Sequence, residues 1–277
     1  MAVALASFQN TTSDGTALVL TKPVSLAVGD LLVAGIFVAN QSSNTSSLVT
    51  PSGWTLQEDV EANTQFELAV YLKTATSGDV AASNFTFSSS NSGGFHMSGF
   101  LARVTDPGIV AGESSAANVG TENVVLSTFT PTRSNTLFLA FAASADTGTP
   151  SISGIALTTN NPTWTTEATQ TKADSNFDTR TSFFSASRAE ATATGDITIT
   201  TSEAGGFLRN HGIVISLSSS VSGSVTPTTK VNSYAYNPIN PTANLDIFVN
   251  EPTDRITTPA VWTNEAKPST TWINEQK

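Results

Sequence analysis

Apolar residues along this chain come in runs of four to nine, separated by Gly, Asn, Ser, Asp and Pro. Positions 31–39 form one run, LLVAGIFVA, and 212–217 form another, GIVISL. Positions 66–73 alternate as FELAVYLK, while Phe85-Thr86-Phe87 and Ile197-Thr198-Ile199 show period two in miniature. Period two is the signature of a pleated strand, and Thr, Val, Ile and Phe favour that surface. No window of helical length holds an apolar stripe of period 3.6. Short strands at regular spacing predict an all-β chain built as an antiparallel β-sandwich, jelly-roll or Ig-like.

The pattern repeats. Positions 18–40 align without gaps on 124–146, at an offset of 106. Each holds an apolar triplet, a Thr/Ser-rich turn with Pro, and a long apolar strand ending in Asn or Asp. Trp54 matches Trp164 at an offset of 110, and Tyr71 matches Phe183 at 112. The last offset continues through Asn84–Phe87 on 196–199, and through Gly93-Gly94-Phe95 on Gly205-Gly206-Phe207. These glycine steps read as a turn or bulge before a last strand. Offsets that grow between strands mark loop insertions. The expectation is therefore two tandem, divergent sandwich units of six or seven strands, 1–108 and 109–222. The pattern leaves open whether they form separate sandwiches or share one core.

Residues 223–277 change character. Prolines at 227, 238, 241, 252, 259 and 268 preclude a continuous helix or central strand. An extended Pro/Thr-rich tail is expected, carrying an aromatic-x-Asn-Glu motif three times. The copies are Phe248, Asn250, Glu251; Trp262, Asn264, Glu265; and Trp272, Asn274, Glu275. In an extended chain the ring and the amide share a face. The nine residues read as a partner-binding anchor that docks by strand addition.

Composition narrows the chemistry. The 277 residues include 35 Ser and 43 Thr, and 12% are charged, against about 25% in ordinary domains. There is no Cys, which excludes disulfide frameworks, thiol catalysis and thiolate zinc sites. A net charge of −10 argues against a nucleic-acid partner. No apolar run suggests membrane insertion. The first residues, MAVALASFQN, lack the basic region of a signal peptide, so synthesis in the cytoplasm is expected.

Candidate sites are few. His96 and His211 are the two imidazoles, and no Gly-x-Ser-x-Gly elbow lies near either. Glu58, Asp59 and Glu61 form the densest acidic cluster, just after Trp54. A glycosidase needs two carboxylates on one side of a substrate, whereas neighbours in a strand point to opposite faces. Trp54, Glu58 and Glu61 are also the candidate glycan contacts, with Trp54 and Trp164 as stacking platforms or as core. No Asp-x-Asp-x-Asp-Gly calcium loop is present. No catalytic residue, metal or cofactor is expected.

The strand opening at 29–34, the stretch Pro51-Ser52-Gly53-Trp54-Thr55 and the alternating strand at 70–73 resemble a known group. They are similar to divergent tandem β-sandwich proteins encoded among the structural genes of tailed bacteriophages. The Trp-x-Asn-Glu tail repeats look like tails of phage virion proteins. The second copy departs from the pattern, with Asn161-Pro162-Thr163-Trp164. The resemblance implies a non-enzymatic protein on a virion surface: capsid decoration, head fibre or tail-associated. Its partners would be other virion proteins and itself, with host-surface glycans as a further possibility. The alternative is a carbohydrate-binding module or adhesin, and a third reading is a polysaccharide-degrading enzyme.

Overall fold

Every residue of 31–40 and of 136–146 is buried. A strand with no polar face needs cover on both sides of its sheet, and the architecture supplies it. A computed structural model of the chain describes residues 3–219 apart from positions 41–46, 63–64, 91–94, 107, 120–122, 174–176 and 203–207. These all belong to one compact unit, Met1–Thr226.

The strands are β1 (Ala4–Asp14), β2 (Ala17–Thr21), β3 (Leu31–Asn40), β4 (Leu48–Val49), β5 (Thr55–Ala62), β6 (Phe66–Thr74), β7 (Asn84–Ser89) and β8 (Phe95–Thr105). They continue as β9 (Gly108–Val119), β10 (Asn123–Leu126), β11 (Thr136–Asp146), β12 (Ser151–Leu157), β13 (Thr165–Lys172), β14 (Asp178–Arg188), β15 (Ile197–Ser202) and β16 (Arg209–Ser219). One short helix, α1 (Ser77–Ala81), follows β6, with Thr76 and Asp79 forming a capping box. The protein is thus all-β, with antiparallel pairing throughout the described ladders.

Four sheets result. Two have five strands, ordered β1-β8-β3-β6-β5 and β13-β14-β11-β16-β9. Two have three, ordered β2-β7-β4 and β10-β15-β12. Among the described residues each half holds eight strands rather than six or seven. The additional ones are short or polar, such as the two-residue β4, and carry little apolar signal.

Three apolar layers join the sheets. Leu18, Leu20, Phe85 and Phe87 of one small sheet meet Leu32, Ile36 and Tyr71 of its large neighbour. Val124, Leu126, Ile197 and Ile199 meet Phe138 and Phe184 in the same way. The third layer lies between the two large sheets. Val33, Phe37, Val70 and Phe100 face Leu139, Phe141, Phe183 and Ile213 there. The halves therefore share a core. Its centre is aromatic: Phe183 stacks on Phe141 at 5.0 Å and on Phe100 at 5.7 Å, with the edge of Phe8 at 5.6 Å.

Register corrects one sequence match. Val70 pairs with Gly35, and Phe183 pairs with Phe141. With 35 set against 141, the counterpart of Phe183 is Val70, and that of Tyr71 is Phe184. Val70 and Phe183 line the shared core, whereas Tyr71 and Phe184 point into the sandwiches. A one-residue slip exchanges the faces of a strand. Where both faces are apolar, the sequence pattern does not reveal the slip.

Gly35 is required by the shared core. A Cβ there would stand 2.1 Å from Cδ1 of Phe141. The positions match at the offset of 106, so one site carries the ring and its counterpart carries the space for it. We expect Gly35→Ala to destabilise by about 1–3 kcal/mol through overpacking. Phe141→Ala should cost about 3–5 kcal/mol through the cavity. The double variant should be more stable than the sum by at least about 0.5 kcal/mol. Urea unfolding of the four proteins measures this, and strict additivity would show that the ring is not seated on Gly35.

Candidate functional site

The two imidazoles occupy different positions. Pairing sets His96 opposite Ala39, and sets Arg209, not His211, opposite the matching Ala145. His96 Nδ1 lies 2.9 Å from Asp14 Oδ1. Asp14 Oδ2 accepts from Lys172 Nζ at 2.7 Å, and that bond holds the Asp14 carboxyl below its usual pKa. Lys172 comes from β13 of the other large sheet. The trio is therefore a clip across the sheet rims, aided by Gln170 donating to Asn10 at 3.3 Å.

His211 is fully buried beside Phe37 and Phe66, at 5.5 and 6.4 Å. Neither ring nitrogen meets a partner in hydrogen-bond geometry. Burial pushes its pKa from 6.5 down to about 4, although the Phe66 backbone weakly favours the charged form. It acts as a neutral core ring.

The acidic cluster lies on β5. A bulge at Gln57 reorients the strand, and β13 carries its own bulge at Glu167, the matching place. Glu58 accepts from Ser115 of β9, while Gln57 donates to Glu113. Glu58 thus serves the contact between the large sheets. Glu61 stands directly opposite Glu67. Glu67 escaped the sequence reading because it sits in an apolar strand. Burial raises its pKa to about 7, and Glu61 and Asp59 add to that, while the Leu48 N–H opposes it at 2.8 Å.

Trp54 and Trp164 each precede the edge strand of a large sheet, at matched registers. Their surroundings differ. Trp54 is 8% exposed, with Phe87 at 5.1 Å, Phe85 at 5.8 Å and Lys73 Nζ at 5.9 Å. A sugar has no room to stack there, so the glycan reading of Trp54 does not fit its place in the core. Around Trp164 the counterparts are smaller. Ile197 and Ile199 replace the two phenylalanines, and Ala186 stands where Lys73 does. Trp164 stays partly exposed, its edge against Phe138 at 6.1 Å.

The space left beside Trp164 is an open groove of about 460 Å³ between edge strands β12 and β13. Ser153, Asn161, Thr163, Thr166 and Phe184 line it with the indole, and no lining residue is charged. Asn161 Oδ1 accepts from the indole N–H at 3.1 Å and from Leu157 N–H at 2.9 Å. With both hydrogen bonds accepted by one oxygen, the angle of the ring is tied to the Leu157 backbone. The sequence reading noted Asn161-Pro162-Thr163-Trp164 as a departure but did not single out its polar side chains. Thr and Asn are too common in this chain to stand out.

The nine anchor residues from Phe248 to Glu275 lie outside the described residues, as do Gly93, Gly94 and 205–207. Among the described residues no group of three His, Asp or Glu could hold a metal ion. No described helix is long and apolar enough to cross a membrane.

Two sets of outcomes follow. For His211, the unfolded chain takes up a proton near pH 6.5 and the folded chain near 4. Its contribution is thus complete above pH 6.5 and lost as pH falls towards 4, by on the order of 3 kcal/mol. Relative to His211→Leu, the native chain should lose stability over that window in urea titrations at successive pH values; a constant difference would refute the buried neutral ring. Glu67 has the opposite sign, so relative to Glu67→Gln the native chain should weaken as pH rises from 4.5 to about 7. Trp54→Ala should cost about 3–5 kcal/mol, and Trp164→Ala clearly less, because its ring is already part-solvated. Equal shifts in unfolding midpoint would contradict the difference in burial.

Compared with protein-family models, curated proteins and solved structures, the chain has no significant match.

Proposed function

We propose that this chain is a non-enzymatic structural protein on the surface of a bacteriophage-like particle, as capsid decoration or a head- or tail-attached component. In this reading residues 1–108 and 109–222 are divergent copies of one jelly-roll unit, and 223–277 are an extended anchor. The order β1-β8-β3-β6-β5 with β2-β7-β4 has the same pattern as β9-β16-β11-β14-β13 with β10-β15-β12, which supports that reading. The shared bulge positions and the Gly35–Phe141 match support descent from a unit that once paired with itself.

One observation carries the functional reading. The two small sheets cover opposite sides of the stack, and none of their strand residues is charged. Their outer positions are Thr, Ser, Asn, Ala and Val, and the matched Val19 and Val125 are 50% and 56% exposed. Depletion of charge marks the centres of protein interfaces rather than ordinary surface. Two such faces on one compact unit suit a subunit that packs between neighbours. An acidic remainder limits adhesion to nucleic acid and anionic cells.

The test is the composition of purified particles. The protein should be present at a fixed copy number. Deletion of 231–277, or Val19→Glu with Val125→Glu, should lower that number at least tenfold while the melting temperature of the purified protein changes little. Full occupancy by both variants, or absence of the native protein from particles, would overturn the reading.

A further inference from the structure

We infer that the groove beside Trp164 is a binding site for a neutral saccharide, one face of a pyranose ring lying on the indole. The inference does not depend on the particle reading, since it rests on this groove alone.

A sugar ring offers an apolar face of C–H bonds and a rim of hydroxyls. It needs an aromatic plane and nearby neutral donors and acceptors, and the groove has both. The indole is partly exposed, and its angle is held from behind by Asn161 Oδ1. With that oxygen committed, the Asn161 side-chain NH₂ makes no hydrogen bond to the described residues, and neither do the Thr163 and Thr166 hydroxyls. Binding would therefore not require breaking internal bonds at these groups. The absence of charge in the lining disfavours phosphate, sulfate, carboxylate and ammonium ligands, which need ionic partners. A volume of about 460 Å³ falls within the usual range of roughly 300–1,000 Å³ for ligand clefts. Because the groove opens between two edge strands, a ligand can run on past it, which suits a unit within a longer glycan.

The first half of the molecule shows what a closed version looks like. There Lys73 lies over the matching indole, and two phenylalanines pack against it. The saccharide site belongs to the second half alone.

The experiment titrates the purified full chain with maltohexaose, cellohexaose, xylohexaose and chitohexaose, followed by calorimetry and by tryptophan fluorescence. At least one should bind with Kd in the micromolar to low millimolar range. Trp164→Ala should weaken it at least tenfold. Thr166→Val, which keeps shape and removes the hydroxyl, should weaken it about threefold or more with an unchanged melting temperature. Val28→Ser, in an exposed turn of the first half, should leave it unchanged. No binding by any of the four, or binding that survives Trp164→Ala in a folded variant, would overturn the inference.

Discussion

The structure depends on one constraint: two five-stranded sheets with no polar face must each be covered twice. Strands β3 and β11 contain no exposed residue. Covering one face of each sheet with three strands leaves the other face apolar, and the two large sheets satisfy each other. Fully burying one large apolar side chain is worth roughly 1.5–3 kcal/mol, and the shared layer buries 21 residues. The polar contacts at its rims, such as Asp14 with Lys172, are partly exposed and add little by comparison.

That arrangement explains where polarity goes. Charge is confined to the rims, loops and edge strands, because the inner faces admit none and the small sheets carry none. Two buried titratable groups are shifted towards their neutral forms by their setting. His211 stays uncharged, and Glu67 titrates near neutrality. A close-packed interior leaves no space for water to solvate them. The same packing turns a repeated position into a complementary pair, since two phenylalanines could not both occupy the site where Phe141 meets Gly35.

The open side of each sandwich is where the halves diverge. In both, the edge strand of the small sheet and that of the large sheet leave a gap beside a tryptophan. Phenylalanines and a lysine stem close the first gap. Isoleucines and an alanine leave the second open, with hydroxyls and an amide around a partly exposed ring. A few differences in side-chain volume thus separate a core residue from a surface site, on sheets with the same strand order.

Local pattern by itself determined the strand-rich class, the period-two strands β7 and β15, the apolar runs of β3 and β16, and the matched tryptophans. These features rest on backbone preference and one-residue alternation, which a linear sequence displays directly. The resemblance on which the particle reading began also lay in local motifs, such as Pro51-Ser52-Gly53-Trp54. Tertiary structure decided the rest: the register that makes Val70, not Tyr71, the counterpart of Phe183, the shared core, the burial of His211, and the contrast between Trp54 and Trp164. In a strand buried on both faces, every position is apolar whichever way it points, so its face is chosen by the sheet that covers it. Exposure of a ring likewise depends on the volume of residues 19 to 35 positions away, brought to it only by the fold.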